Sequence, residues 1–307
     1  MPKTVLDAVS IGKLAADALD RSGEALVIAR FERSFYLDLG ASLIAIGDES
    51  LHDGPLNVRV TIRSDLSPTT DLAIETGQHW TASAERLERH DGLEIDLRHA
   101  VIWRPERLAG TPDRACLKHG LHHLQTLLLE QHAGDDGLIR LVLDDEHPRS
   151  GTERAAKPHI EALKDDLPRW LLDDARPDPR PAIQLLGLGP GLTPSGDDLL
   201  AGILIAWHHL SASAAANRLS HHLIGTGEAC TRTTPISLAH LEAAARGYGA
   251  SPLHQLLNAL IVNRRLEIAD ALDAAAKIGH SSGLDAIAGM VLAMTAWLQA
   301  DKTPIMA

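Results

Sequence analysis

At 307 residues the chain is long for one hydrophobic core, and its length points to two domains. Apolar residues make up 45% and charged residues 23%, the balance of an ordered globular protein, while 29 basic against 41 acidic residues leave a net charge of −12. That sign speaks against a nucleic-acid or anionic-membrane partner, since both require a basic face. The two cysteines, Cys116 and Cys230, stand far apart and form no CxxC pair, which fits a reduced, cytoplasmic setting.

The opening stretch, MPKTVLDAVSIGKLAADALD, contains acids and lacks the apolar run of a signal peptide. Its apolar residues read as an amphipathic helix. No stretch of about 18 uninterrupted apolar residues occurs, so no transmembrane span and a soluble protein are expected. From Glu24 to Arg104 short β-type runs follow: ALVIARF, FYLDL, SLIAIG, LNVRVTI and LEIDLRHAVIW, separated by turns such as Asp53-Gly54-Pro55. Alternation in LNVRVTI and LEIDL predicts an antiparallel sheet with one buried face.

From Asp113 the pattern changes to helical periods, beginning with CLKHGLHHLQTLLLEQHA and TERAAKPHIEALKDDLPRWLLD, with LIRLVL ambiguous. DARPDPRPA (174–182) reads as an extended connector. Thr193-Pro194, Thr234-Pro235 and Ser251-Pro252 each predict a capped helix start with proline at its first position. The reading is an α+β protein, with a β-rich antiparallel N-terminal part (1–110) and a mainly helical part (111–307).

The motif that carries chemistry is LGLGPGLTPSGDDLLAG, residues 186–202. It fails the dinucleotide fingerprint, which needs glycine where Leu192 stands, and it fails the P-loop, because Asp197 and Asp198 replace Lys and Ser/Thr. Two carboxylates at a helix start suit the dipole but repel a bare phosphate. Either a cation mediates, or the ligand offers N–H groups to the acids. The motif is echoed once: Ser195-Gly196-Asp197-Asp198-Leu199-Leu200-Ala201-Gly202 aligns with Ser282-Gly283-Leu284-Asp285-Ala286-Ile287-Ala288-Gly289. Each S-G-x-D copy is also an S-x-x-D capping box, so helix capping is the plain alternative to a ligand role. The paired Ala-Gly one turn on is not needed for capping, and small residues there let two helices approach closely. The expectation is that both helix starts face one polar cleft.

Between the copies, Thr231-Arg232-Thr233-Thr234-Pro235 offers Arg232 and Thr233 as a clamp for carboxylate or phosphate. Gly279-His280-Ser281 leads into the second copy, where His280 could move a proton. Cys116, His119, His122 and His123 recur at helical spacing but read as a wet helix face rather than a metal site. Of the pairs His208-His209 and His221-His222, His209 lies too far along the helix to share a metal with Asp198. The expected site comprises Gly189, Gly191, Thr193, Ser195, Gly196, Arg232, Thr233, Ser281, Ser282 and Gly283 against substrate. Asp198, Asp285 and His280 would do the chemistry, and Asp197 with Asp198 would hold a possible Mg²⁺.

GLGPGLTPSGDDLLAG, RTTPIS and GHSSGLDAIAG, in this order, resemble the AllH-like family, as does the β-rich FERSFYLDLG…IGDESLHDGPLNVRV region. The resemblance implies a subunit of oxamate carbamoyltransferase in anaerobic allantoin and purine nitrogen breakdown, acting beside larger FdrA-like subunits. The implied reaction is carbamoyl exchange between oxalurate and phosphate, giving oxamate and carbamoyl phosphate. A small substrate with anionic and carbamoyl ends suits the loop's mixed chemistry. Two other readings stand beside it: a non-catalytic subunit that docks an FdrA-like partner, and a metal-dependent hydrolase of a ureido compound.

Overall fold

Alternating burial along TVLDAVSIG decides the first element. Val5, Asp7 and Val9 face solvent while Ala8 and Ser10 face inward, a period of two that makes Thr4–Gly12 a strand rather than the expected helix. Only Lys13–Leu19 is helical (α1). The computed structural model describes residues 4–21, 23–62, 72–106, 110, 112–132, 134–143, 147–172 and 177–300. It divides the chain into Met1–Pro105 and Glu106–Ala307, and the fold is α+β.

The first unit holds β1 (Thr4–Gly12), β2 (Gly23–Arg30), β3 (Ser34–Asp38), β4 (Leu43–Gly47), β5 (Asn57–Val60), β6 (His79–Ala82), β7 (Arg86–Arg89), β8 (Leu93–Asp96) and β9 (Val101–Trp103). The strand order is β5-β4-β3-β2-β6-β7-β8-β1-β9, and β1 also pairs with β5, so the sheet closes into a barrel. Pairing is mixed rather than purely antiparallel: β1 runs parallel to β8 and β9, and β4 parallel to β5. The run LEIDLRHAVIW is two strands, because a turn closed by Ala100 N–H to Leu97 O divides it. Inside the barrel Val27, Phe35, Leu37, Ile44, Ile46, Trp80 and Leu87 are buried, and the Phe35 and Trp80 rings lie 5.7 Å apart. Each such side chain contributes about 1.5–3 kcal/mol through burial.

The second unit is helical: α2 (Arg114–Gln131), α3 (Ile139–Val142), α4 (Gly151–Trp170), α5 (Arg180–Leu185), α6 (Ser195–His209), α7 (Ser213–Ser220), a π-turn (His221–Gly225), α8 (Glu228–Arg232), α9 (Pro235–Ala244), α10 (Ser251–Ile261), α11 (Arg265–Ala276) and α12 (Ser282–Ala300). LIRLVL thus contains a short helix. The expected connector ends in helix, since α5 takes its last three residues, and residues 174–176 lie outside those described.

Helices α6 and α12 are apolar nearly all round and buried on most faces, the pattern of central helices. By length and composition α12 is apolar enough to cross a membrane, yet most of it is buried inside this unit. Around the pair pack α2, α4, α9, α10 and α11, supplying Leu124, Leu163, Leu241, Leu257 and Leu272 to one core.

Candidate functional site at the crossing of two repeated helix starts

Glycine at the fourth position after each repeated aspartate lets α6 and α12 touch backbone to backbone. A Cβ on Gly202 would lie 1.9 Å from Ala286 O, and one on Gly289 would lie 1.8 Å from Leu199 O. The relation is reciprocal, because each carbonyl belongs to the residue just after the other copy's aspartate. The earlier glycines repeat it against the preceding helices: a Cβ on Gly196 would meet Leu185 O at 2.0 Å, and one on Gly283 would meet Ala275 O at 1.8 Å. The two copies of S-G-x-D-x-x-A-G therefore form a locally two-fold crossing, and their aspartates meet.

The acids exchange partners across it. Ser282, of the second copy, and Thr193 act on the Asp198 carboxyl, while Ser195, of the first copy, and Ser281 act on that of Asp285. Thr193 Oγ1 and Ser282 Oγ are themselves 2.9 Å apart. Asp285 is fully buried, and its Oδ1 accepts the Leu138 N–H at 2.5 Å. Oδ2 of Asp198 and Oδ2 of Asp285 are both buried without a hydrogen-bond partner.

Burial first, then the neighbouring Asp285 and Asp197 charges, hold the Asp198 carboxyl well above the usual carboxylate range against the pull of Ser282 and Thr193. Burial likewise pushes Asp285 up to about 6, opposed by the Leu138 N–H, Ser195 and Ser281. Burial thus disfavours the charged form of both carboxyls.

Asp197 does something else. Its Oδ1 accepts the Gly187 N–H at 2.8 Å, and its Oδ2 accepts the Ser237 hydroxyl at 2.7 Å together with that of Thr233. The Thr234 hydroxyl adds a bond to Leu192 O. Asp197 thus joins the glycine loop to the Thr233–Ser237 segment. Among the described residues no three His, Cys, Asp or Glu side chains gather to hold a metal ion.

The capping boxes are absent at α6. That helix starts one residue later than its Thr-Pro pair predicted, so Pro194 is the cap and Ser195 is freed to cross to Asp285. The α10 start shifts the other way, one residue earlier, with Ala250 at the cap, whereas Thr234 caps α9 as expected by accepting from Ser237 N–H. A capping box does occur at Ser150 and Glu153.

The first amides of α6 are engaged: Gly196 N–H donates to Leu188 O, and Asp197 and Asp198 N–H donate to Pro194 O. Gly189 (φ 126°) folds against Ser195, while Gly191 (φ 92°) sits at an exposed tip.

Arg232 meets the loop only through its backbone, since its carbonyl faces Gly187. Its guanidinium bonds Ile183 O at 3.2 Å and Glu228 at 3.4 Å rather than the acid pair. His280 is exposed, with Nε2 3.1 Å from Asp136 Oδ2. Of the other histidines, His208 bonds Ser213 and Ala245 O, and His209 bonds Asn258. His119 and His122 lie on the wet face of α2.

The residues that sequence reasoning missed are Gly137 and Leu138. Gly137 has φ 112°, and a Cβ there would lie 2.6 Å from Asp285 Oδ1. The only signal for this turn was Asp136-Gly137, one turn dipeptide among many. A groove of 430 Å³ lies elsewhere in the unit, lined by Asn217, Ser220, His221, Glu242 and Arg246, and shares no residue with the acid pair.

Residues 185–294, about a third of the chain, match the family model described as oxamate carbamoyltransferase subunit AllH. The match runs from the glycine loop through the second copy and leaves the barrel outside it. No solved structure matches the chain. The matched segment is the one that carries Asp198 and Asp285, and over it the chain is similar to the AllH family.

Proposed function

We propose that this protein is a subunit of an oxamate carbamoyltransferase-type enzyme. The complex would move a carbamoyl group between oxalurate and phosphate, giving oxamate and carbamoyl phosphate. In that reaction a phosphate oxygen bonds to the carbamoyl carbon, the bond from that carbon to the oxamate nitrogen breaks, and the nitrogen takes up a proton. The observation that carries the reading is the acid pair, Asp198 with Asp285, at the centre of the segment that matches the family. Unfilled carboxyl acceptors among hydroxyls suit the NH₂ of a carbamoyl group and give a phosphate no purchase. The phosphate and carboxylate ends would then be met by larger FdrA-like partner subunits, because the Arg232 guanidinium is already held by Ile183 O and Glu228.

The test is co-expression with FdrA-like subunits and an assay of carbamoyl phosphate formed from oxalurate and phosphate. The complex is expected to be active, and the Asp198→Asn, Asp285→Asn double variant to assemble but lose at least tenfold in rate. Full activity in the double variant would leave only a docking role for this chain.

A further inference from the structure

The groove of 430 Å³ in the helical unit, apart from the acid pair, has two walls. Asn217, His221 and Ile224 stand on one, where helical spacing along α7 and the π-turn brings them to the same face. Glu242, in the last turn of α9, stands on the other with Ala245 and Arg246. The chain still coils past the end of α9, since Ala245 keeps a right-handed helical backbone and Arg246 N–H donates to Ala243 O. Glu242 and Arg246 therefore sit about one turn apart on one wall.

The π-turn shapes the first wall. From His221 to Gly225 the helix widens, an irregularity that is rare inside helices and recurs at functional sites. Two consecutive histidines part there. The His222 ring meets the buried Trp170 edge to face at 5.7 Å, whereas His221 lines the groove and folds back over Gly225. A Cβ at Gly225 would lie 2.7 Å from His221 Nδ1, so glycine at this position is what lets the imidazole lie in the wall.

One groove thus carries an exposed carboxylate, an exposed guanidinium, an imidazole and an amide, with half-buried Ile224 and Ala245 as apolar surface. Exposed opposite charges one turn apart attract each other only weakly. A ligand with the reversed pair of charges gains from both at once. A phosphate or a dicarboxylate would be repelled by Glu242, and a metal ion or a diamine by Arg246. The volume is that of a small-molecule site. From this arrangement we infer that the groove binds a small zwitterion, an α-amino acid with an apolar side chain. Its carboxylate lies on the Arg246 fork and the His221 imidazole, its ammonium on Glu242, and its side chain against Ile224 and Ala245. Asn217 offers an amide to either end. The groove shares no residue with the acid pair, and the inference goes beyond the carbamoyl reading without resting on it.

Isothermal titration of the full chain at pH 7.5 with L-leucine, 4-methylpentanoate and 3-methylbutylamine tests it. The last two probes are leucine without its ammonium and leucine without its carboxylate. L-leucine is expected to bind, and each single-charge probe to bind roughly tenfold or more weakly. Arg246→Gln should lower leucine to the level of the amine, and Glu242→Gln to the level of the acid. Both side chains are exposed, so both variants should keep the native circular dichroism spectrum. Gly225→Ala, which displaces the imidazole, should also weaken leucine, and His221→Ala reads the same contact if Gly225→Ala fails to fold. No binding of L-leucine, equal affinity for the three probes, or unchanged leucine affinity in either charge variant overturns the site. A complex that makes carbamoyl phosphate while leucine does not bind would sink the groove and spare the function. Leucine binding that depends on Arg246 and Glu242, in a complex without carbamoyl transfer, would do the reverse.

Discussion

Asp285 lies beneath the Gly137–Leu138 turn with one oxygen on a backbone N–H and the other bare, and its carboxyl titrates at about 6. A folded value above the unfolded one means that the native state binds more protons between the two. The stability that this group contributes is therefore greatest below the unfolded carboxylate value near 3.8 and is lost as pH rises to about 6. The size is roughly 3 kcal/mol, from about two units of displacement. Asp285→Asn keeps an oxygen for the Leu138 N–H and cannot ionise. We expect the variant's stability relative to the native chain to rise by about 1–3 kcal/mol between pH 4.5 and pH 7.5, measured by urea unfolding at both values. A pH-independent difference would show that Asp285 ionises freely. Asp197, one residue from Asp198, has donors on both oxygens and ties the loop to the Thr233–Ser237 segment.

The crossing of α6 and α12 depends on glycine at two positions and on nothing larger. At Gly202 and Gly289 the space for a methyl group is filled by the other helix's backbone, which cannot rotate away as a side chain could. Gly202→Ala is therefore expected to push the helices apart and cost about 3 kcal/mol or more, at the severe end of overpacking. Because the acids sit four residues before these glycines, the same variant should move the Asp198–Asp285 pair out of register. Gly191→Ala is the contrast. It has positive φ but open space around it, so strain alone should cost about 1 kcal/mol. Thermal melts of the two variants check the ranking, and similar losses would mean that the crossing is looser than described.

On the scale of the whole molecule, the barrel and the helical unit each enclose their own apolar core. Asp198, Asp285 and the whole family match lie within the helical unit. Residues 106–307 expressed alone should consequently fold, with a helical circular dichroism spectrum and one cooperative melt. A fragment that stays unfolded would show that the barrel is needed to complete the helical core.

Much of this was legible in the order of residues. The alternation of LNVRVTI, the helical periods after Asp113 and the glycine loop are local signals, and local signals survive without tertiary contacts. The repeat of S-G-x-D-x-x-A-G was visible too, and with it the expectation that two helix starts meet. What the sequence could not say is which acid does what. Asp197 and Asp198 are neighbours of one chemistry, but successive helical residues point about 100° apart. Only the packing decides that one carboxylate faces Gly187, Thr233 and Ser237 while the other faces the second copy. The opening strand was misread for the same reason, since its partners β5, β8 and β9 lie far along the chain. Arg232 likewise had the right chemistry for a clamp, but Glu228 one helical turn away and Ile183 on α5 hold its charge elsewhere. Residue types and short-range spacing set what each segment could do, and long-range packing chose among those possibilities because it alone determines which donor each acceptor meets.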